Sequence, residues 1–155
     1  NNSSIISKFN AFSPAHTKLY LSAINIYIDN NKIFGIGPKL FREYCAKDKY
    51  IETYSLISCS THPHNSYIQL IVETGLGVII VFLLFLYVCF IIIKHIYMSI
   101  FKNKKILSDI EVGSFICLFI TLWPLAPSGS IFNNWLNIIY YIPLIFILYE
   151  RQKNN

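Results

Sequence analysis

The chain has 155 residues, of which 54% are hydrophobic and only 14% charged, with a formal net charge of +5. Charged residues make up about a quarter of an ordinary soluble domain, so this balance, with a mean hydropathy of +0.48, excludes that class and points to a membrane protein. The basic excess is no nucleic-acid footprint, because the lysines are scattered or clustered beside an apolar run and the aromatics lie within apolar segments.

Residues 1–66 are mixed in polarity and begin with the polar stretch 1–4, without Met or a signal peptide, which reads as the C-terminal part of a longer membrane domain. Leu19, Ala23, Ile24, Ile26, Tyr27 and Ile28 predict a helix that closes near residues 29–31. Phe34-Gly35-Ile36-Gly37-Pro38 then predicts a turn. A short helix is expected over 39–47 and a loop over 49–61, before His62-Pro63-His64-Asn65 leads into the next element.

From Gly75 to Ile93, 19 residues carry no formal charge. At about 1.5 Å per residue they nearly cross a hydrocarbon core of about 30 Å. A first transmembrane helix is therefore expected over 67–93, a second over 110–126, and a third over 131–149 with Pro143 inside it. The fold class is an all-α polytopic integral membrane helix bundle, with residues 1–66 as a partly helical extracytoplasmic segment and 67–155 as the three-helix part.

Orientation follows from lysine. The loop 94–109 contains Lys94, Lys102, Lys104 and Lys105, and the tail contains Arg151 and Lys153, whereas 127–134 has neither Lys nor Arg. The positive-inside rule puts the loop and tail in the cytoplasm and the 127–134 turn and residues 1–66 on the extracytoplasmic side. Trp123, Trp135, Tyr140 and Tyr141 would form an interfacial belt. Cys45 and Cys59, 14 positions apart on the outer side, are either a disulfide or two separate buried thiols; Cys89 and Cys117 read as packing residues.

His62 and His64 stand at the outer mouth of the first membrane helix. Neutral imidazole suits general-base work near pH 7, and imidazolium can pair with phosphate. The plainer alternative is a polar helix start capped by Asn65 or Ser66, with His64 merely solvated. A metal shared by His62 and His64 would need a third ligand, for which only Glu52 is at hand, so no metal is assigned. Glu73 is expected at the outer entrance of the first membrane helix; an ionisable group at membrane depth is a functional candidate, although an interfacial Glu can simply reach water.

His64-Asn65, a nine-residue spacer and Gly75 resemble the histidine block of the O-antigen ligase and polymerase family, as do the surrounding Pro63, Tyr67, Gln69, Glu73 and Thr74. Phe34-Gly35-Ile36-Gly37 with Phe41-Arg42 resembles that family's upstream glycine block, and Pro127-Ser128-Gly129-Ser130 with Phe132-Asn133-Asn134-Trp135 looks like a signature of one branch. The sequence departs from the pattern at Val78, where a small residue or Tyr is usual. It departs again at His16, which stands where many members carry Arg four positions before a Trp, here Tyr20.

The resemblance implies a metal-independent membrane glycosyltransferase without a cofactor. It would move a glycan from undecaprenyl pyrophosphate to a hydroxyl of lipid A core, of a growing glycan or of a protein. His64 is then the expected base, or the residue that holds the pyrophosphate, and Arg42 the first choice for a phosphate contact, with His62, Asn65, Lys39, His16 and Lys18 as further substrate contacts. The rival class is a non-enzymatic membrane protein such as a transporter component. That reading would be favoured by charges buried in mid-helix, and none occurs between Gly75 and Ile93.

Overall fold

The computed structural model describes residues 13–54 and 59–153. The first twelve positions of the expected extracytoplasmic segment, four of its loop (55–58) and the last two of the tail lie outside the described residues. Every regular element among the described residues is helical: α1 (Pro14–Asp29), α2 (Phe41–Cys45), α3 (Asp48–Tyr54), α4 (Ser66–Thr74), a 3₁₀ turn (Gly75–Gly77), α5 (Val78–Lys102), α6 (Asp109–Thr121) and α7 (Asn134–Lys153). They divide into two compact units, one of Asn1–Val78 with Leu125–Phe132, the other of Ile79–Pro124 with Asn133–Asn155.

In the first unit, Ser13 caps α1 by accepting from the His16 amide, and Pro14 occupies the first turn, where its missing N–H costs nothing. Helical spacing puts Leu19, Ser22, Ala23 and Ile26 on one buried face. The apolar members of that face form a core with Ile36, Phe41, Cys45, Tyr50 and Val72. Helix α2 is shorter than the expected 39–47, because Pro38 and the left-handed Lys39 (φ 64°) keep the chain out of helix until Phe41. The expected loop 49–61 contains α3 instead. Isolated seven-residue helices are marginal, but here Tyr50 is anchored in the core, its hydroxyl donates to Asp29 Oδ2 at 2.9 Å, and Lys49 pairs with the same oxygen at 2.7 Å.

The two glycine blocks interlock. Ile36 N–H donates to the Val72 carbonyl at 2.9 Å, Gly37 N–H to the Glu73 carbonyl at 3.0 Å, and Leu76 N–H to the Ile33 carbonyl at 3.0 Å. A Cβ on Gly35 would lie 2.5 Å from the Glu73 carbonyl carbon, and one on Gly75 would lie 2.4 Å from the Ile33 oxygen. Both residues also have positive φ (69° and 59°), so backbone meets backbone where no side chain fits. Glu73 is fully buried here. Its Oε1 accepts from Phe41 N–H at 3.1 Å and its Oε2 from Gln69 Nε2 at 2.9 Å. Glu73 therefore does not reach water; it holds the start of α2 against α4.

Ser66–Lys102 is the one helical run among the described residues long and apolar enough to cross a membrane, with 37 residues and a mean hydropathy of 3.3 in its most apolar window. It continues through Lys94 and His95, past the expected end at 93, because residues 94–102 contain no helix breaker and lysine stems can lie along apolar surface. Asn103 (φ 47°) ends it in the left-handed conformation that Asn tolerates. The 94–109 segment expected as a loop is thus helical over most of its length.

In the second unit, Ser108 and Glu111 form a reciprocal capping box at the start of α6, and Glu111 also pairs with Arg151 at 3.7 Å. Phe85, Val88, Phe115, Leu118, Leu122 and Ile147 form its core with Leu107. Helix α6 stops at Thr121 rather than the expected 126, since Pro124 disfavours helix in the residue before it. It has 13 residues, about 20 Å of rise. Helix α7 runs unbroken through Pro143 but begins at Asn134, not at 131.

Candidate functional site

The late start of α7 has a cause in the first unit, where residues 126–131 are held by hydrogen bonds. Ser128 N–H donates to the His64 carbonyl at 2.9 Å. Ser66 and Ser128 share a hydroxyl bond of 2.7 Å. Gln69 Nε2 donates to Ser130 Oγ at 2.9 Å, while Gln69 Oε1 accepts from Ile131 N–H at 3.1 Å. Asn65 Nδ2 reaches the Ala126 carbonyl at 3.4 Å. A segment some sixty positions downstream is thereby fastened to the first turns of α4.

That fastening fixes the turn that carries the histidines. Asn65 is the N-cap of α4, its Oδ1 accepting from the amides of Tyr67 and Ile68, both at 3.0 Å. His64, just before the cap, has φ 56°. The left-handed region costs a residue with a Cβ about 1–2 kcal/mol, and the Ser128 bond on one side and the cap on the other hold it there. The His62 and His64 rings stand 4.2 Å apart, and the His16 ring lies 6.1 Å from His64. His16 Nδ1 is 2.7 Å from Ser13 Oγ, and His64 Nε2 is 3.2 Å from Ser60 Oγ.

Around them is an open cleft of about 290 Å³, lined by Ala15, His16, Leu19, Cys59, Ser60 and His64. Cys59 is joined to Cys45 in a disulfide with a Cα–Cα distance of 5.2 Å, which ties the floor of the cleft to α2. Of the two readings of that cysteine pair, the structure has the bridge. Burial pushes the His62 imidazole below its ordinary range, the neighbouring His64 adds to this, and a backbone contact to Ser128 opposes it. His62 therefore favours the neutral form.

The expected site residues divide by position. His16 and His64 line one cleft, the His62 ring is tilted by 60° against that of His64, and Asn65 serves as the helix cap. Lys18 is exposed on α1, and two residues along a helix turn it about 200° from His16. Lys39 and Arg42 are exposed and line no part of this cleft; Arg42 lies one turn before the bridged Cys45. Among the described residues no group of three or more His, Cys, Asp or Glu side chains is placed to hold a metal ion. Sequence reasoning passed over Ser60, which sits in the loop before the motif with no periodicity or spacing to mark it. Ser128 and Ser130 carried a signal in the Pro-Ser-Gly-Ser stretch, but not the partners they bind.

A cleft lined by two imidazoles, His16 and His64, and the Ser60 hydroxyl can accept a proton and bind an anion. No curated protein and no solved structure matches the chain. A family model does: that of the O-antigen ligases matches residues 13–85, a span holding α1, both glycine blocks, the histidine turn and the first part of α5. This matched segment, which contains every residue lining the cleft, is similar to the O-antigen ligases.

Proposed function

We infer that the protein transfers a glycan from a lipid pyrophosphate, of the undecaprenyl type, to an acceptor hydroxyl at the outer face of a bacterial inner membrane. The observation that carries this reading is the convergence of His16 and His64 on one cleft just before a helical run long and apolar enough to cross a membrane, inside the segment matched to the O-antigen ligases. His64 takes the proton as the acceptor oxygen attacks the anomeric carbon. The bond from that carbon to the pyrophosphate oxygen breaks, and its electron pair leaves with the lipid pyrophosphate. His16, in the place of the family's usual arginine, supplies positive charge to the leaving group when protonated, with Arg42, Lys39 and Lys18 as longer-range contacts. His62, whose burial disfavours the imidazolium, is the weaker competitor for that proton. No metal enters these steps. The acceptor is a hydroxyl of lipid A core, of a glycan or of a protein.

The test is glycan transfer by the full-length protein in proteoliposomes with a lipid-pyrophosphate-linked glycan. His64→Ala should lower the rate by about 10²–10⁴, the usual worth of a general base, with membrane insertion intact and with no effect of chelator on the wild type. Normal transfer per folded His64→Ala molecule would remove the assignment.

A further inference from the structure

Within the reading of His64 as the base, the ring needs more than a place in the cleft. An imidazole with one nitrogen as base must carry its proton on the other, and it keeps that tautomer only if the protonated nitrogen has an acceptor. Ser60 Oγ stands 3.2 Å from His64 Nε2 and lines the same cleft. It is also the residue next to Cys59, whose bridge to Cys45 anchors this end of the loop to a buried residue of α2. On the far side of His64, its backbone is held by Ser128 and by the Asn65 cap. The ring is thus fixed from both ends, and its Nε2 has a hydroxyl partner on an immobilised loop. The groups facing His64 that titrate are His62, from its own turn, and His16, from α1. Both are imidazoles, so neither can be relied on to accept from Nε2–H once it is protonated.

We propose that Ser60 is a positioning residue for glycan transfer, its Oγ accepting from His64 Nε2–H so that Nδ1 presents the basic lone pair to the acceptor hydroxyl. This rests on the reading of His64 as the base. When Nδ1 takes the proton, the ring becomes a cation and the Nε2–H···Oγ bond becomes charge-assisted, so Ser60 favours the protonated product of that step as well as the reactive tautomer. Cys45 and Cys59 act through Ser60 by holding its backbone where the hydroxyl can reach.

The experiment measures the pH dependence of transfer by full-length Ser60→Ala, Ser60→Thr, Ser60→Asp and His64→Ala in proteoliposomes. Ser60→Ala should lower kcat about tenfold with KM for the lipid-linked donor within about twofold, an effect of the size of one hydrogen bond to a charged group. Its acidic limb should move to lower pH, because the imidazolium has lost an acceptor. Ser60→Asp should move that limb to higher pH, since a carboxylate favours the imidazolium more than a hydroxyl does, and Ser60→Thr should restore the wild-type profile. Damage to folding alone would not shift the limb in opposite directions in two variants. A wild-type profile and rate in both Ser60→Ala and Ser60→Asp, with His64→Ala inactive, would overturn the role of Ser60 while leaving His64 as the base. Undiminished transfer by His64→Ala would overturn both.

Discussion

His62 has one ring nitrogen, Nε2, that is buried without a hydrogen-bond partner among the described residues. Burial there disfavours the imidazolium, and the group binds its proton less readily in the folded chain than in the unfolded one, where the ordinary value is about 6.5. The unfolded state therefore holds more protons in this window, so stability rises with pH and is lost as pH falls from about 6.5 through the depressed folded value. The apparent melting temperature in detergent should be lower at pH 5 than at pH 7.5, and His62→Gln should narrow that gap; an equal gap in the variant would assign the effect to other groups. Asn65 offers a contrast at the neighbouring position. Its capping of Tyr67 and Ile68 makes Asn65→Ala worth about 1 kcal/mol of stability, which should show as lower yield of folded protein more than as a lower rate per folded molecule.

At the level of elements, the glycine blocks and the disulfide determine whether the cleft is assembled at all. Gly35 and Gly75 combine positive φ with backbone atoms where a Cβ would go. Gly35→Ala and Gly75→Ala should each cost at least about 1–2 kcal/mol from conformation alone, more from the collision, and should depress melting in detergent. Gly113 on α6 meets nothing within 4 Å, so Gly113→Ala should be neutral or stabilising by up to about 1 kcal/mol. Equal losses at the three sites would contradict the interlock of the two blocks. The Cys45–Cys59 bridge closes a loop of 14 positions, worth about 3 kcal/mol in the chain-entropy picture. Non-reduced peptide mapping should recover the linked pair, and Cys59→Ser should lower stability by that order.

For the whole molecule, the lysine asymmetry and the apolar run Ser66–Lys102 together predict sidedness. In a background lacking Cys89 and Cys117, an impermeant thiol reagent applied from the periplasm should label Lys39→Cys and spare Asn103→Cys until the membrane is opened. The reverse pattern would put the histidine cleft in the cytoplasm and end the proposed reaction with a periplasmic acceptor. The exposed apolar side chains of α5, Ile80, Leu83, Phe90 and Ile93 among them, agree with a helix whose surroundings are lipid or other helices rather than water.

What the amino-acid order determined by itself was whatever depends on near neighbours. The uncharged run 75–93, a cap at Asn65 or Ser66, the breaks at Gly35, Gly37 and Pro38, and the helical face Leu19–Ala23–Ile26 all follow from spacings within one or two turns. The tertiary structure alone decided what depends on pairs far apart in the chain. It turned the expected loop after residue 48 into α3 by anchoring Tyr50 on Asp29, and it made Glu73 a buried acceptor for α2. It also delayed α7 by binding Ser128 and Ser130 to residues 64–69. The physical reason is the same in each case: a hydrogen bond or a core contact between distant segments outweighs local preferences of a few tenths of a kcal/mol to about 1 kcal/mol per residue, and no local pattern announces its partner.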